Sequence, residues 1–247
     1  MDTSICAETV YTTGHGGDEI EMYVARPQAD DKRGGMVFIH HLPGYDRETK
    51  EFVRRAADAG YDAVCPNLYS RVGRDVAPDD AAAKVRAEGG VPDEQVMGDV
   101  RAALDHLRAL PSSNGKVAVI GHCSGGRHTF LAALTLPIDA AIVCYGGMIA
   151  GDGPPPQLPT MVPLVGRSSE VGCPMLGLFG NDDQFPTPAQ VDEIDKALTE
   201  AGKDHEFHRY DGAGHAFFSP DRTAYRVEAA LDGWERIWAF VATHLKG

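Results

Sequence analysis

The chain has 247 residues, of which 43% are hydrophobic, so it is long enough and apolar enough for one large α/β domain or two small ones. Its formal net charge of −13 argues against nucleic acid or an anionic membrane surface as a partner, because both attract positive charge. No basic segment followed by an apolar one opens the chain, and no apolar run approaches the length of a membrane span, so a cytoplasmic protein is expected.

In chain order, short apolar runs alternate with longer amphipathic segments, which is typical of strand–helix–strand units around a mostly parallel sheet. Several runs lack polar alternation, as expected of strands covered by helices on both faces. The predicted strands are 20–26, 35–39, 62–65, 116–120, 140–145, 175–179 and 205–210. The predicted helices are 50–60, 93–109, 125–134, 188–201 and 225–245.

Two segments interrupt this alternation. Residues 71–90 are polar, rich in alanine and only weakly helical, and they are predicted to form a cap or lid. Residues 151–163 are rich in glycine and proline, but strand-like sequence resumes after them, which indicates a surface excursion rather than a domain boundary. With no internal repeat or long linker, residues 1–247 are predicted to form a single α/β domain.

The five cysteines form no CxxC pair and no cluster with histidine at zinc spacing, so free thiols, no metal and no cofactor are expected. Cys123 alone lies in a Gly-x-nucleophile-x-Gly pattern, residues 121–125, between a predicted strand and a predicted helix. In such a turn, the N–H of Ser124 would help to form an oxyanion hole, and the helix N-terminus would favour a thiolate. A purely structural turn is the alternative, but the strand and helix on either side favour a nucleophile. Cys65, Cys144 and Cys173 are predicted to be ordinary buried thiols.

In proteins with this turn, the acid follows a later strand and the base follows the next one. Here one predicted strand runs into Asp182 and Asp183, and the last runs into a glycine-rich loop that carries His215. All three functional groups therefore come in the required order at the carboxyl ends of strands. Either aspartate could be the acid. His205 and His208 are alternative bases, but both lie inside the predicted strand.

Four motifs together resemble those of the dienelactone hydrolase (carboxymethylenebutenolidase) family of α/β-hydrolases, and the similarity runs nearly from end to end. The motifs are GYDAVCPNLYSR at 60–71, NGKVAVIGHCSGG at 114–126, GNDDQFPTP at 180–188 and YDGAGHAFF at 210–218. The resemblance implies the α/β-hydrolase fold, with a mostly parallel twisted sheet and helices on both faces. It also implies a hydrolase of small-molecule esters or lactones.

Placed on the family pattern, Cys123 corresponds to the nucleophile, Asp183 to the acid and His215 to the base. The backbone N–H groups of Leu42 and Ser124 correspond to the oxyanion hole. A thioester acyl-enzyme would then be the intermediate. The alternatives are a thioesterase, a general carboxylesterase with an apolar substrate, or a non-catalytic ligand receptor on the same fold. The protein is expected to be a monomer or a small homo-oligomer.

Two positions depart from the family pattern. A glutamate that holds the resting thiol is replaced by His41, which is predicted either to contact the thiol or substrate or to be structural together with His40. The family's arginine for a substrate carboxylate, shortly after the base, is replaced by apolar sequence, which favours an uncharged substrate. Other candidates for substrate contact are Tyr145, Phe217 and four arginines, which could also be ordinary surface residues: Arg71, Arg74, Arg86 and Arg127.

Overall fold

The computed structural model describes residues 4–246, and eight strands in that range form one sheet. The sheet order is β1-β2-β4-β3-β5-β6-β7-β8. All pairs from β4 to β8 are parallel, whereas β2 is antiparallel to both β1 and β4, which confirms the expected mostly parallel sheet. The strands are β1 (Ile5–Thr13), β2 (Glu19–Pro27), β3 (Arg33–Ile39), β4 (Asp62–Pro66), β5 (Ser113–His122), β6 (Ala140–Cys144), β7 (Met175–Gly180) and β8 (His205–Tyr210).

Helices cover both faces of this sheet. Along β3, Met36 and Phe38 pack in one hydrophobic core and Val37 and Ile39 in the other, since successive strand residues point to opposite faces. Helices α1 and α6 cover the first core, and α2 to α5 cover the second. The helices are α1 (Arg47–Asp58), α2 (Pro78–Ala87), α3 (Asp93–Ala109), α4 (Ser124–Thr135), α5 (Pro188–Glu200) and α6 (Val227–His244). Within residues 4–246, none is long and apolar enough to cross a membrane.

All the predicted strands and helices are present, and the differences lie mainly at their ends. Helix α1 begins three residues early because the Asp46 side chain accepts a hydrogen bond from the Thr49 N–H, at 2.9 Å, and so caps the helix. The chain leaves α1 through Gly60, whose φ of 96° suits a glycine. Strand β1 was not predicted. It is an edge strand whose residues are largely exposed and polar, so it lacks the apolar run that marks the inner strands.

The predicted cap region, residues 71–90, contains α2 after a short 3₁₀ turn at Ser70–Val72. The apolar face of α2 packs Ala81, Ala82 and Val85 against the core. A lid function for this segment, and the single-domain organisation of the chain, stay predictions. The glycine- and proline-rich excursion, residues 151–163, contains no helix or strand, and the 3₁₀ segment Val165–Glu170 follows it.

Candidate active site

The turn between β5 and α4 holds Cys123 in a sharp conformation. Strand β5 ends at His122 and α4 begins at Ser124. Between them, Cys123 has φ 57° and ψ −122°, which a residue with a side chain rarely adopts. A Cβ atom at Gly121 would overlap the carbonyl group of Gly125, so glycine is required where the strand and the helix approach each other. The turn presents the thiol at the carboxyl edge of the sheet.

The pKa of the Cys123 thiol lies below its usual value. Removal of the sulfur from water raises this pKa, but the nearby imidazole of His215 and the N–H groups of Ser124 and Leu42 outweigh that effect. The positive end of the α4 dipole acts in the same direction. The surroundings of the sulfur therefore favour a thiolate.

The imidazole of His215 is hydrogen-bonded to a carboxylate and interacts with the Cys123 thiol. Its Nδ1 is 3.0 Å from Oδ2 of Asp183, which is only 2% exposed. Burial lowers the pKa of His215, but the hydrogen bond to Asp183 and the interaction with Cys123 raise it to about 10. The N–H of Phe185 donates to Oδ1 of Asp183 at 2.8 Å, which holds the carboxylate in place. The favoured pair of charges is an imidazolium beside a thiolate.

The loops that carry the acid and the base are packed together because β7 and β8 are neighbouring parallel strands. A Cβ atom at Gly180 would overlap the carbonyl group of Ala213, and the Asp182 N–H donates to the same carbonyl at 2.9 Å. The Asp182 side chain is exposed. The structure thus joins Asp183, and not Asp182, to His215 by a hydrogen bond.

Two backbone N–H groups from separate elements lie near the Cys123 thiol and lower its pKa, and two such donors are what an oxyanion hole uses. The N–H of Leu42 comes from the loop after β3, and the N–H of Ser124 comes from the first residue of α4. The Tyr69 hydroxyl donates to the Leu42 carbonyl at 2.8 Å and holds this loop. Tyr69 was missed by the sequence reasoning, although it lies inside the motif at 60–71.

His40 and His41 have different partners. The buried ring of His40 has Nδ1 at 2.8 Å from the His41 carbonyl oxygen, and its Nε2 accepts from the Leu68 N–H at 3.2 Å. His41 Nε2 is 2.6 Å from Oδ2 of Asp46. Burial raises the pKa of Asp46, but the hydrogen bond and charge of His41 outweigh it and lower the pKa to about 2. Within residues 4–246, no hydrogen bond joins His41 to Cys123, and a contact with substrate stays a prediction.

Two of the candidate arginines bind carboxylates of the protein itself. Arg71 contacts Asp99 at 2.8 Å and Asp18 at 2.7 Å. Arg74 pairs with Glu19. The expectation that Arg71 binds substrate is therefore corrected, since two carboxylates already occupy its guanidinium group.

The expectation that Arg127 binds substrate is also corrected, because its side chain is fully buried. Its guanidinium group binds Asp93 through two hydrogen bonds of 2.6 and 2.9 Å and donates to the Val162 carbonyl at 2.6 Å. Arg127 thereby anchors the glycine- and proline-rich excursion to α3 and α4. Arg86 is the remaining candidate: it is exposed on α2, and it forms no ion pair within the described residues 4–246.

Tyr145 and Phe217 support the base from inside the protein. Tyr145 is 1% exposed and packs edge-to-face on the His215 ring, with centroids 5.1 Å apart. Phe217 is fully buried and packs against Tyr145 at 5.4 Å. The expectation that these two residues contact substrate is corrected, since both rings are enclosed by protein.

A small apolar cluster lies beside the oxyanion hole. Met148, Leu158 and Met161 pack together, outside the two cores of the sheet, and the partly exposed Leu42 packs against them. The last two residues of the cluster come from the excursion that Arg127 anchors. These three buried residues therefore support the partly exposed Leu42 side chain, and together the four form an apolar wall at the loop after β3.

Backbone strain is concentrated around the same site. Within residues 4–246, the non-glycine residues with positive φ are Cys123, Tyr145, Met148 and Ala216. The first is the candidate nucleophile, the last follows the candidate base, and the other two contact the base or belong to the apolar wall. Such conformations persist where the surrounding structure enforces them, which is common at functional sites.

Three of the other four thiols differ from Cys123 in the direction of their pKa shift. Cys65 and Cys144 are buried, and burial raises the pKa of each. Cys173 is partly exposed rather than buried as expected, and burial of its sulfur, helped by the charge of Asp139, raises its pKa to about 12. In the described part of the chain, no three metal-ligating side chains cluster closely enough to hold an ion.

The fold and this site define an α/β-hydrolase. A family model of the dienelactone hydrolase family matches residues 20–245. A Methylorubrum extorquens protein named "Putative carboxymethylenebutenolidase" is 34% identical over 223 residues, which cover 88% of this chain and 75% of that protein. An Escherichia coli protein with the same name is 33% identical over 230 residues, 90% of this chain and 81% of that protein.

A solved structure named "Putative Dienelactone Hydrolase", from Klebsiella pneumoniae, matches with a TM-score of 0.83 and 28% identity and covers 97% of this chain and 99% of that one. The chain therefore belongs to the dienelactone hydrolase family and is an enzyme of the carboxylic ester hydrolase class. The resemblance in the four sequence motifs is confirmed.

Proposed function

We propose that this enzyme hydrolyses small-molecule esters or lactones by acyl transfer to the thiol of Cys123. One observation carries the proposal: the thiol with a lowered pKa shares its imidazole partner with a buried carboxylate, and two N–H groups lie at the sulfur. This arrangement supplies a nucleophile, a proton carrier and stabilisation of a developing oxyanion.

In the first half of the proposed reaction, the Cys123 thiolate attacks the carbonyl carbon. The N–H groups of Leu42 and Ser124 stabilise the negative charge that develops on the carbonyl oxygen. When the tetrahedral adduct collapses, the bond to the leaving oxygen breaks, and the His215 imidazolium gives that oxygen its proton. The products are an alcohol, or the opened end of a lactone, and a thioester on Cys123.

In the second half, His215 takes a proton from water, and the hydroxide attacks the thioester carbonyl. Collapse of this adduct releases the acid and returns the Cys123 thiolate beside the protonated imidazole. Asp183 keeps Nδ1 of His215 protonated and oriented in both halves. Sulfur suits esters with good leaving groups, because an adduct on an amide would mostly expel the thiolate again. Peptide hydrolysis is therefore the weaker proposal.

The apolar wall favours an acyl group that is apolar and uncharged. The leaving group has to lie near His215, which protonates it, so the wall at Leu42 is available to the acyl side of the substrate. Met148 and Met161 are buried, so the partly exposed Leu42 is the side chain of the wall that would meet the acyl group, with the flexible methionines packed behind it. A carboxylate-bearing substrate remains the alternative, with Arg86 as its partner, and Arg86→Ala would then lower turnover of anionic lactones alone.

The proposal is tested by substitution of two neighbouring cysteines. We expect Cys123→Ala to lower the turnover of p-nitrophenyl acetate by at least about 10³-fold, since the nucleophile is lost. Cys144→Ala is the matched control and should retain turnover, because Cys144 lies at the end of the adjacent strand and, within residues 4–246, forms no hydrogen bond with an imidazole. Full activity in Cys123→Ala would refute the proposal.

Two alternatives are separated by further measurements on the unmodified enzyme. A ligand receptor on this fold would be labelled by iodoacetamide at Cys123 but would release no burst of p-nitrophenol. A thioesterase would hydrolyse acyl thioesters with a higher kcat/KM than oxygen esters of the same acyl group. We expect a burst and a preference for oxygen esters or lactones.

A further inference from the structure

His40 has a single protonation state that satisfies its surroundings. It follows directly after β3 and is 2% exposed. The Leu68 N–H is a donor, so Nε2 of His40 must be unprotonated to accept its hydrogen bond. The His41 carbonyl is an acceptor, so Nδ1 of His40 must carry the proton. Only the neutral Nδ1–H tautomer meets both conditions.

The acceptor of this proton belongs to the peptide group that forms half of the oxyanion hole. The His41 carbonyl oxygen and the Leu42 N–H are the two ends of one trans peptide unit, which is planar, so they point in opposite directions. A hydrogen bond that fixes the oxygen therefore fixes the direction of the N–H, which lies at the Cys123 sulfur. The bond also polarises the peptide and makes its N–H a stronger donor.

The same peptide oxygen has a second donor, the Gly44 N–H at 3.0 Å. The next carbonyl along the chain, that of Leu42, is held by the Tyr69 hydroxyl, and the Tyr69 ring packs edge-to-face on His40 at 4.7 Å. The loop would therefore keep part of its shape without His40. His40 adds a directed hydrogen bond to the peptide oxygen, and its ring is itself held by the Leu68 N–H, just after β4.

We propose that His40 is a positioning residue for the oxyanion hole, which acts by holding the His41–Leu42 peptide group through its Nδ1–H. This inference rests on the proposed function, because it assigns a role in the stabilisation of the oxyanion that acyl transfer creates. His40 does not touch the substrate. Its contribution to the reaction is made in the transition state, where the Leu42 N–H meets the developing negative charge of the substrate oxygen.

A matched pair of substitutions separates the two hydrogen bonds of His40. In His40→Asn, the side-chain amide N–H takes the place of Nδ1–H and keeps the bond to the His41 carbonyl. In His40→Gln, the longer side chain places its oxygen near the position of Nε2, so it keeps the bond from Leu68 and loses the bond to the peptide. Both variants keep a polar side chain of similar size, and His40→Leu removes both bonds.

We expect His40→Gln and His40→Leu to lower kcat for p-nitrophenyl acetate by about 10-fold or more, which is less than the loss of a complete oxyanion donor. The KM should stay within about twofold, because the hydrogen bond from the Leu42 N–H to the substrate oxygen becomes strong only in the transition state. His40→Asn should keep kcat within about threefold of the unsubstituted enzyme, given that the peptide is still held. Alkylation of Cys123 by iodoacetamide, measured at a pH where the thiol is fully ionised in every variant, should stay within about twofold in all three, since that reaction forms no oxyanion.

Equal kcat values in His40→Asn and His40→Gln would overturn the proposal, whatever their size. A parallel loss of kcat and of the alkylation rate would also overturn it, because general damage to the site would then explain both. If His40→Leu fails to fold, the comparison of Asn with Gln still decides. Failure of the proposed function would instead appear as turnover that survives Cys123→Ala.

Discussion

Cys123 and Cys144 lie at the carboxyl ends of adjacent parallel strands, and the Cys123 N–H donates to the Cys144 carbonyl at 3.1 Å. Burial raises the pKa of both thiols. For Cys144 no opposing effect intervenes, and its pKa rises well above the usual value. For Cys123 the imidazole of His215 and two N–H groups outweigh the effect of burial, so the pKa of this thiol falls.

The comparison indicates that the lowered pKa of the thiol depends on the turn after the strand rather than on the strand itself. Cys144 continues the extended backbone of β6, so its sulfur points into the core formed with α1 and α6. Cys123 has left the strand with a positive φ, so its sulfur meets the loops after β3 and β8. The predictions that follow test each partner that separates the two thiols.

The largest effect is expected when the imidazole is removed. His215→Gln should lower kcat/KM for p-nitrophenyl acetate by about 10⁴-fold, since both the thiolate and the proton carrier are lost. His208→Gln is the control: His208 lies half-buried in β8, near Arg236 and Glu206, and this variant should change kcat/KM by less than about twofold. Comparable losses in the two variants would contradict the assignment of the base.

Substitution of the acid should have a smaller effect. In Asp183→Asn, the imidazolium loses its charged partner, so the pKa of His215 falls from about 10 toward its usual value. The thiolate then loses part of its stabilisation, and the pKa of Cys123 rises. We expect kcat/KM to fall by about 10²-fold and the alkylation of Cys123 to require higher pH. Asp182→Asn, in the same loop, should leave both measurements unchanged, and an equal loss there would show that Asp182 is the acid.

The last prediction concerns stability rather than turnover, and it tests the burial that Cys144 shares with three histidines. Desolvation lowers the pKa of His40 to about 4 and the pKa values of His122 and His128 to about 3. The unfolded chain binds these protons near pH 6.5 and the folded chain does not, so stability is full above pH 6.5 and is lost as the pH falls toward 4. Each histidine contributes a slope of up to about 1.4 kcal/mol per pH unit.

This pH dependence is measured as the free energy of urea unfolding between pH 7 and pH 4. His128→Leu should flatten the slope, because neither ring nitrogen of His128 has a hydrogen-bond partner within residues 4–246 and the leucine takes up no proton. The control is Thr243→Leu, at an exposed position of α6, which removes no titratable group and should leave the slope as it is. An identical slope in His128→Leu would contradict the expected titration.

Much of the fold could be predicted because the inner strands are buried on both faces and are therefore continuous apolar runs. The catalytic candidates could be named because each follows such a run: Cys123 after β5, Asp183 after β7 and His215 after β8. The choice between Asp182 and Asp183 was left open by the residues themselves. It required the loop geometry that exposes one side chain and buries the other.

The substrate-contacting residues were predicted poorly because sequence does not show what an arginine or an aromatic ring faces. Arg127 and Arg71 have the right charge, but long-range ion pairs with Asp93 and Asp99 engage them, and such pairs arise only when distant helices pack. The apolar wall at Met148 and Met161 was missed for the same reason, since it forms from an excursion that has no regular secondary structure.

The most direct test of the central claim is the location of the acyl group during turnover. The enzyme is mixed with p-nitrophenyl acetate, quenched with acid during the burst and digested, and the peptides that carry Cys123 and Cys144 are analysed by mass spectrometry. The account predicts one acetyl group on Cys123 and none on Cys144. Turnover with an unmodified Cys123, or with the acetyl group on another residue, would contradict it.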